Sequence, residues 1–267
     1  KLKLDRESQL LKFEKYVSIH EKIEDPGVLL SIFKNKKPDV VIHLAAQAGV
    51  RYSIENPRAY LETNIIGTFE LLEAARAFPP AHMLLASTSS AYGASESMPY
   101  REIQRADHQK SFYAATKKST ENIAHSYSHL FNLPITMFRF FTVYGPWGRP
   151  DMALFKFTKL ILNGKPIDVY NHGNMKRDFT YVEDLVHAVR LLIDIEPPVV
   201  CDITNNIDSL SPVAPFRVVN IGNSNTVGLN SFIAEIEAAL GKKALKNMMP
   251  MQSGDVHETY ANTELLK

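Results

Sequence analysis

The stretch "PDVVIHLAA" (Pro38–Ala46) decides the fold class of this chain. It is a short, continuous apolar run rich in β-branched residues, which is typical of a strand buried on both faces of a sheet. Two further runs have the same character, "HMLLASTSS" (His82–Ser90) and "PITMFRFF" (Pro134–Phe141). Helical patterns separate these runs, at about Pro57–Ala77 and Ser111–Phe131. The alternation predicts an α/β fold in which helices cover both faces of a parallel sheet.

Beyond Tyr144 the pattern becomes less regular, and we expect a smaller lobe there. The elements predicted in this part are a turn-rich link at Gly145–Met152, a helix near Ala153–Leu162, a short strand ending at Tyr170, a helix at Tyr181–Ile193 and a buried strand at Phe216–Gly222. The polar, aperiodic segment Pro197–Pro215 predicts a loop. We therefore divide the chain into a main domain at residues 1–144 and a lobe at residues 145–267, with residues 171–222 contributing elements back to the main sheet.

The composition excludes several classes of function. Lys and Arg (30) nearly cancel Asp and Glu (29) among 267 residues, so there is no basic field for a nucleic acid. The single cysteine, Cys201, excludes an internal disulfide and favours a reducing, cytoplasmic location. No apolar run approaches the roughly 20 residues of a membrane span, although an anchor upstream of Lys1 would not be visible in this sequence. The nine histidines show no metal-ligand spacing, so we expect no metal.

Polar clusters follow the three predicted strands of the main sheet. They are "AAQAG" (Ala45–Gly49), "STSSAYG" (Ser87–Gly93) and "TVYGPWGRP" (Thr142–Pro150). An open α/β sheet binds its ligands beyond the carboxyl ends of its strands. The three clusters therefore predict one ligand site at that edge of the sheet.

The segment "FYAATKK" places Tyr113 and Lys117 four residues apart, one turn apart on the same face of the predicted helix. Taken alone, this spacing is common and is explained equally well by an amphiphilic turn on a packed helix. A free tyrosine has a pKa of about 10 and is a poor base at neutral pH. A neighbouring ammonium group favours the phenolate, so we expect Lys117 to lower the pKa of Tyr113.

Six motifs in register resemble the extended short-chain dehydrogenases, and among them the nucleotide-sugar epimerases, most closely those that act on UDP-glucuronate at C4. The motifs are "HLAAQAG" (His43–Gly49), "STSSAYG", "YAATK" (Tyr113–Lys117), "RFFTVYGPWGRPDM" (Arg139–Met152), "RDFTYVEDL" (Arg177–Leu185) and "GDV" (Gly254–Val256). The resemblance implies a Rossmann-like, doubly wound parallel sheet that binds NAD and a smaller C-terminal lobe that binds a UDP-sugar. The glycine fingerprint of the dinucleotide site is missing from this sequence, so we expect a chain truncated at both ends.

The resemblance also assigns roles to individual residues. Tyr113 takes the proton from the sugar 4-hydroxyl, Lys117 supports this base and holds the nicotinamide ribose, and Thr88 bridges Tyr113 and the substrate oxygen. The cofactor contacts implied are Leu44, Ala45, Ala46, Gln47, Asn64, Tyr113, Lys117 and Phe141. The substrate contacts implied are Thr88, Ser89, Ser90, Thr142, Arg149, Tyr170, Arg177, Gln252 and Asp255, with the two arginines on the diphosphate, Tyr170 on uracil and Asp255 on the uridine ribose.

Other interpretations of these residues remain open at this point. Thr88 and its neighbours are also good helix caps, Asn64 also suits an internal hydrogen bond of its helix, and Tyr170 also suits a core position. The resemblance further implies a homodimer through a four-helix bundle, formed by the Pro57 helix and the Tyr113 helix of each subunit. Apolar residues available for its outer faces are Phe69, Leu72, Ala115 and Ile123.

Ser89 and Ser90 discriminate between related chemistries. Sugar dehydratases that resemble this chain carry an acidic pair at these positions, and serine cannot donate the proton that elimination requires. Neutral hydroxyls suit a substrate carboxylate, which favours a UDP-uronic acid and epimerisation of UDP-glucuronate to UDP-galacturonate through a 4-keto intermediate. The alternatives are a UDP-glucose or UDP-N-acetylglucosamine 4-epimerase and a non-catalytic NAD-binding sensor.

Overall fold

The computed structural model describes residues 1–199 and 208–266. Its strands are β1 (Val40–His43), β2 (His82–Ala86), β3 (Ile135–Phe140), β4 (Thr142–Tyr144), β5 (Ile167–Val169), β6 (Lys176–Tyr181), β7 (Phe216–Ile221), β8 (Thr226–Gly228) and β9 (Lys246–Met248). Its α-helices are α1 (Leu2–Leu10), α2 (Val28–Lys36), α3 (Val50–Glu55), α4 (Pro57–Tyr60), α5 (Gly67–Ala77), α6 (Phe112–Phe131), α7 (Ala153–Leu162), α8 (Val182–Ile193) and α9 (Leu229–Leu240).

The main sheet is parallel and has the strand order β1-β2-β3-β7. Its register pairs Val40 with His82, Met83 with Ile135, and Ile135 with Phe216. Because all four strands run in the same direction, their carboxyl ends lie along one edge. The segments that follow β1, β2 and β3 therefore begin side by side, as the sequence predicts.

Helices cover both faces of this sheet. On one face the core includes Leu72 of α5 and Ala124 of α6, both with no measurable exposure, together with Phe33 of α2. On the other face Leu185 and Ala188 of α8 pack against the strands. Thus two elements of the last third of the chain contribute to the main domain: β7 is a strand of the main sheet, and α8 packs against it.

The strands are shorter than predicted, and one of them is buried differently. All five residues of β2 are buried. The prediction that Pro38–Ala46 is buried on both faces is wrong: β1 covers four residues and Ile42 is 40% exposed. The physical reason is that β1 pairs only with β2 among the described residues, so it forms an edge of the sheet.

The helix predicted at Pro57–Ala77 is a continuous helical run with an insertion. Between α4 and α5, residues Leu61–Ile66 form a π-helical segment. Such π segments occur frequently at functional sites, because the extra residue redirects the side chains around it. Here the segment carries Asn64, which is buried.

The C-terminal lobe is built from elements that the sequence pattern only partly revealed. In it β4 pairs in parallel with β6, β6 pairs in antiparallel with β8, and β5 pairs with β9. Helices α7 and α9 pack over β5 through a core that includes Phe157, Ile167 and Ile233. Helices α1, α2, α3 and α9 and strands β4, β6, β8 and β9 were not predicted from the sequence. Strands β4, β8 and β9 have three residues each, too few to show a period.

The predicted loop 197–215 is only partly described. Residues 200–207, including Cys201, lie outside the described residues, and the parts of the loop at 197–199 and 208–215 are neither helix nor strand. Within residues 1–199 and 208–266, no helix combines the length and the apolar character that crossing a membrane requires.

Candidate active site

Tyr113 and Thr88 face each other where α6 begins and β2 ends. The side chain of Ser111 caps α6 by accepting a hydrogen bond from the N–H of Ala114 at 3.1 Å, which fixes the turn that carries Tyr113. Thr88 is buried, and its hydroxyl lowers the pKa of Tyr113. The same hydroxyl accepts a hydrogen bond from the N–H of Ser90 at 3.2 Å. Thr88 is therefore a cap, and its predicted role beside Tyr113 and the substrate stays a prediction.

Lys117 lies one turn further along α6 and is 3% exposed. No hydrogen bond of its ammonium group is found in the described part of the chain. Burial lowers the pKa of Lys117 to about 8, and the charge of Glu121 acts in the opposite direction. We call Thr88, Tyr113 and Lys117 the reactive rim.

In the protein without ligands, Lys117 is not among the groups that shift the pKa of Tyr113, and its predicted lowering of this pKa together with the nicotinamide ring stays a prediction. The pKa of Tyr113 is raised, because burial disfavours the phenolate more than its partners favour it. The groups that lower it are the hydroxyl of Thr88 and the guanidinium of Arg149. The charge of Lys117 acts instead on His43, whose pKa burial and this charge lower to about 3, so that His43 is neutral.

Asn64 holds the chain that follows β1. Its side-chain oxygen accepts from the N–H of Gln47 at 2.8 Å, and its side-chain nitrogen donates to the carbonyl of Gln47 at 3.1 Å and to the hydroxyl of Thr116 at 3.0 Å. Asn64 therefore fastens the end of β1 to α6. Its predicted contact with the cofactor stays a prediction.

The remaining predicted cofactor residues occupy different environments. Leu44 is 60% exposed and Ala45 is also exposed, so this end of β1 is open to a ligand. Phe141 is instead 6% exposed and packs with Tyr92 and Tyr100 below the site.

A pocket of about 560 Å³ adjoins the rim. The predicted substrate residues that line it are Thr142, Arg149, Tyr170, Arg177, Gln252 and Asp255. Thr88, Ser89 and Ser90 do not line it and lie at the end of β2. Tyr60 links the two regions: its ring centre is 6.0 Å from that of Tyr113, and its hydroxyl donates to the carbonyl of Gly49, a lining residue, at 2.5 Å.

Both predicted diphosphate arginines are paired with acids of the same pocket. Arg149 donates two hydrogen bonds to Asp151, at 3.1 and 2.6 Å. Arg177 donates to Asp255 at 2.8 Å. The structure therefore brings Arg177 and the predicted ribose partner Asp255 together across the pocket.

The chain matches the model of the NAD dependent epimerase/dehydratase family over residues 4–201. The chain belongs to this family. The predicted family is thus confirmed, and so is NAD as the cofactor of the family.

Relatives of known name agree with this assignment. A probable UDP-glucuronate 4-epimerase of Rhizobium meliloti (strain 1021) is 50% identical over 268 residues, which cover all of this chain and 79% of that protein. The structure resembles the UDP-glucuronic acid 4-epimerase from Bacillus cereus in complex with UDP-glucuronic acid and NAD, with a TM-score of 0.85 and 30% identity over 99% of this chain and 78% of that chain. It also resembles a UDP-glucose 4-epimerase with UDP-glucose from Thermotoga maritima, with a TM-score of 0.80 and 28% identity over 92% and 75% of the two chains. The predicted Rossmann-like fold is confirmed by these structures.

Within this epimerase/dehydratase family chain, the rim fits the nicotinamide half of NAD. Lys117 is 3% exposed, and none of the hydrogen bonds in the described residues uses its ammonium group, which leaves this group available to the hydroxyls of a ribose. Ala45 and Ala46 leave room for a ligand to approach the open end of β1.

Two groups of charged side chains near the site were not predicted from the sequence. Arg51 lines the pocket, and its guanidinium lies 5.0 Å from the ring centre of Tyr170. The signal was present, because Arg51 follows "AAQAG" by only two residues. Glu121 and Arg139 form a buried ion pair behind the rim, at 2.7 Å. In the sequence, burial of this pair was indicated only by position: Glu121 lies one turn after Lys117, and Arg139 lies within an apolar strand.

Proposed function

We propose that this chain epimerises UDP-glucuronate at C4, giving UDP-galacturonate through a 4-keto intermediate. The observation that carries the proposal is the placement of Thr88, whose hydroxyl acts on the buried Tyr113, with the two neutral residues Ser89 and Ser90 directly after Thr88. NAD held beside Tyr113 and Lys117 would supply the hydride acceptor and donor for C4 of the sugar.

The rim supplies the proton chemistry. Tyr113 removes the proton of the 4-hydroxyl while hydride leaves the same carbon, and returns a proton when hydride comes back. Thr88 donates to the developing phenolate and so favours it. Lys117 keeps a positive charge close to the base when a ligand satisfies its ammonium group, because such a partner offsets the burial that lowers its pKa.

The serines and the pocket support a uronic acid as the substrate. Ser89 and Ser90 offer hydroxyls to a carboxylate and provide no acid that would drive elimination of water. The pocket is lined by four cationic side chains, Arg51, Arg149, Lys156 and Arg177, against three acids. That excess of positive charge suits a substrate with a diphosphate and a carboxylate.

Within the pocket we assign Arg149 and Arg177 to the diphosphate. A guanidinium offers two parallel donors to phosphate oxygens, and the pairs with Asp151 and Asp255 hold both groups ready. Tyr170 then faces uracil. Asp255 and Gln252 face the uridine ribose.

The experiment is incubation of the purified protein with UDP-glucuronate and NAD, followed by separation of the sugar nucleotides. We expect UDP-galacturonate. Release of carbon dioxide or formation of a 6-deoxy sugar contradicts the proposal. A parallel incubation with UDP-glucose tests the neutral-sugar alternative: faster turnover of UDP-glucose would replace the proposed substrate.

We also infer that the chain forms a homodimer through α5, α6 and their symmetry mates. Leu61 (41%), Ile66 (39%) and Phe69 (44%) are exposed apolar residues on this helical run, which a second copy would cover. Leu72, one of the apolar residues that the sequence made available for such a face, lies in the core with no measurable exposure. Ile123 packs partly against that core. Sedimentation of the wild type and of a Phe69→Glu variant tests the interface, and a wild-type monomer contradicts it.

A further inference from the structure

Glu121 is the most completely satisfied charged group near the reactive rim. It lies on α6, one turn beyond Lys117, and is 2% exposed. Its carboxylate accepts from Ser87 Oγ at 2.6 Å, from Arg139 Nε and Nη2 at 2.8 and 2.7 Å, and from Lys118 Nζ at 2.9 Å. Arg139 lies on β3, so the carboxylate joins a helix to a strand and to the end of another strand.

This network extends behind the whole edge of the sheet. The guanidinium of Arg139 lies 4.5 Å from the ring centre of Tyr92. The Tyr92 hydroxyl donates to Asn220 of β7 at 2.6 Å, and the N–H of Asn220 donates to Glu102 at 2.8 Å. Strands β2, β3 and β7 are therefore fixed to α6 at the carboxyl edge.

We propose that Glu121 is a positioning residue that fixes Thr88 against Tyr113. Ser87 donates to Glu121, Thr88 follows Ser87 directly in the chain, and Tyr113 lies two turns before Glu121 on the same helix. The bond between Ser87 and Glu121 therefore fixes the strand end that carries Thr88 relative to the helix that carries Tyr113. Thr88 is close enough to Tyr113 to act on the pKa of its hydroxyl.

Stability alone is a poor explanation of this network. Replacing a buried ion pair with well-packed apolar residues is often neutral or stabilising, so such a pair is weak evidence of a stabilising role. Placement of reactive groups is different, because an error of about 1 Å in their geometry costs about 100-fold in rate.

The network also carries an electrostatic consequence for the rim. Burial by itself raises the pKa of Glu121, but Arg139, Lys118 and Ser87 outweigh it and lower this pKa to about 2, so the carboxylate is charged. The groups that shift the pKa of Lys117 are burial and this charge, and Lys117 in turn lowers the pKa of His43 at the end of β1. Those that act on Tyr113 are Thr88 and, from the pocket, Arg149.

Ser87→Ala is the decisive variant. It removes the hydrogen bond between Ser87 and Glu121 and leaves the ion pair of Glu121 with Arg139 intact. Ser128→Ala is its matched control: Ser128 is on the same helix, is fully buried, and its hydroxyl has no hydrogen-bond partner in the described residues. Glu121→Gln is unsuitable, since it would leave the charge of Arg139 buried without a partner. The double variant Glu121→Leu, Arg139→Met removes both charges instead.

The first measurement is titration of the Tyr113 phenolate by ultraviolet difference absorbance, each variant being compared with its own Tyr113→Phe form. Because the hydroxyl of Thr88 lowers the pKa of Tyr113, displacing Thr88 through Ser87→Ala should move the titration to higher pH, and the double variant should do the same. Ser128→Ala should titrate like the wild type. An unshifted titration in Ser87→Ala overturns the proposal, whatever its melting temperature.

The second measurement is kinetic and rests on the proposed epimerase function. Ser87→Ala should lower kcat about tenfold, leave KM within about twofold, and move the acid limb of the kcat profile to higher pH. A raised KM with an unmoved acid limb overturns the positioning role. If the wild type does not turn over UDP-glucuronate but the titration still shifts, the proposed function fails while the positioning role stands.

Discussion

The reactive rim and the pocket hold their charges in opposite ways. Behind the rim, Glu121 and Arg139 are each 2% exposed and every oxygen of the carboxylate is bonded. In the pocket, the side chain of Arg149 is 44% exposed and that of Arg177 is 20% exposed, each with an acid beside it. A buried charge cannot leave its partner without a large desolvation cost, whereas an exposed pair exchanges partners at little cost. The rim is therefore built to stay in place, and the pocket is built to exchange its ion pairs for those of a ligand.

This difference matches what a 4-epimerase has to do. The base and its hydroxyl partner must stay in one geometry for two successive hydride transfers, while the nucleotide enters and leaves. Substitutions distinguish the two regions: changes at the rim should reduce kcat, and changes in the pocket should raise KM.

The largest effect is expected for Tyr113→Phe. Loss of the base should reduce kcat about 1,000-fold, while calorimetry should show unchanged binding of UDP-glucuronate. Tyr127→Phe is the control, since Tyr127 lies on the same helix and bonds Glu73, away from the rim. Activity of the Tyr113 variant within about tenfold of the wild type would remove Tyr113 from the mechanism.

Lys117→Met should lower kcat about 100-fold and at the same time make the protein more stable. The folded pKa is about 8 against an ordinary value of 10.5, so the unfolded chain binds this proton more tightly. Below pH 8 the buried charge costs about 3 kcal/mol, and this cost fades as the pH rises from 8 to 10.5.

Urea unfolding at two pH values checks this stability effect. The gain in Lys117→Met should be present at about pH 7 and nearly absent at about pH 10. Exposed Lys34 provides the control variant Lys34→Met, which should be neutral at both. If Lys117→Met is less stable than the wild type at neutral pH, Lys117 stabilises the fold, and its buried charge does not lower stability as predicted.

A smaller effect, and one of the opposite kind, is expected for Arg177→Ala. Removing one charged donor to the diphosphate should raise KM about 30-fold, about 2 kcal/mol, with kcat within about threefold. The control variant is Arg190→Ala. Arg190 lies on α8, pairs with Asp194 and does not line the pocket, so its loss should leave kcat and KM unchanged. A fall in kcat with constant KM would show that Arg177 acts in the chemical step, together with the rim, instead of in substrate binding.

The smallest effect is expected for Arg51→Met. Arg51 is exposed and its resting contact is the ring of Tyr170, so its loss should raise KM only about threefold. The control variant is Arg58→Met, at another exposed arginine, which should leave KM unchanged. An increase in KM larger than that of Arg177→Ala would move Arg51 to the centre of anion binding and weaken the assignment of Arg177.

Much of this fold was predictable because its signals are local. Helix α7 has the predicted bounds, and α6 begins one residue after the predicted Ser111, which is its cap. The error at β1 arose because an apolar run reports that a strand is buried but not whether both its edges are paired. The π segment around Asn64 was not predictable, because an inserted residue leaves the apolar stripe of a helix nearly unchanged.

The candidate site divides in the same way. Tyr113 and Lys117 became candidates through a spacing of four residues within one helix, and the resemblance supplied their roles. Arg51 was overlooked although it stood beside a recognised cluster. The raised pKa of Tyr113 in the ligand-free protein was not predictable, because sequence shows which charges are near in the chain but not how much water a side chain loses.

The sequence by itself determined the order of strands and helices, the polar ends of three strands and the tyrosine–lysine pair, since each depends on residues a few positions apart. Only the tertiary structure decided that Ser87 meets Glu121 across 34 residues and that Arg177 meets Asp255 across 78. It also decided that Lys117 is buried without a hydrogen-bond partner in the described residues, while Arg149 stays in reach of water. Burial and long-range contact depend on the packing of the whole chain, and no local pattern of residues encodes them.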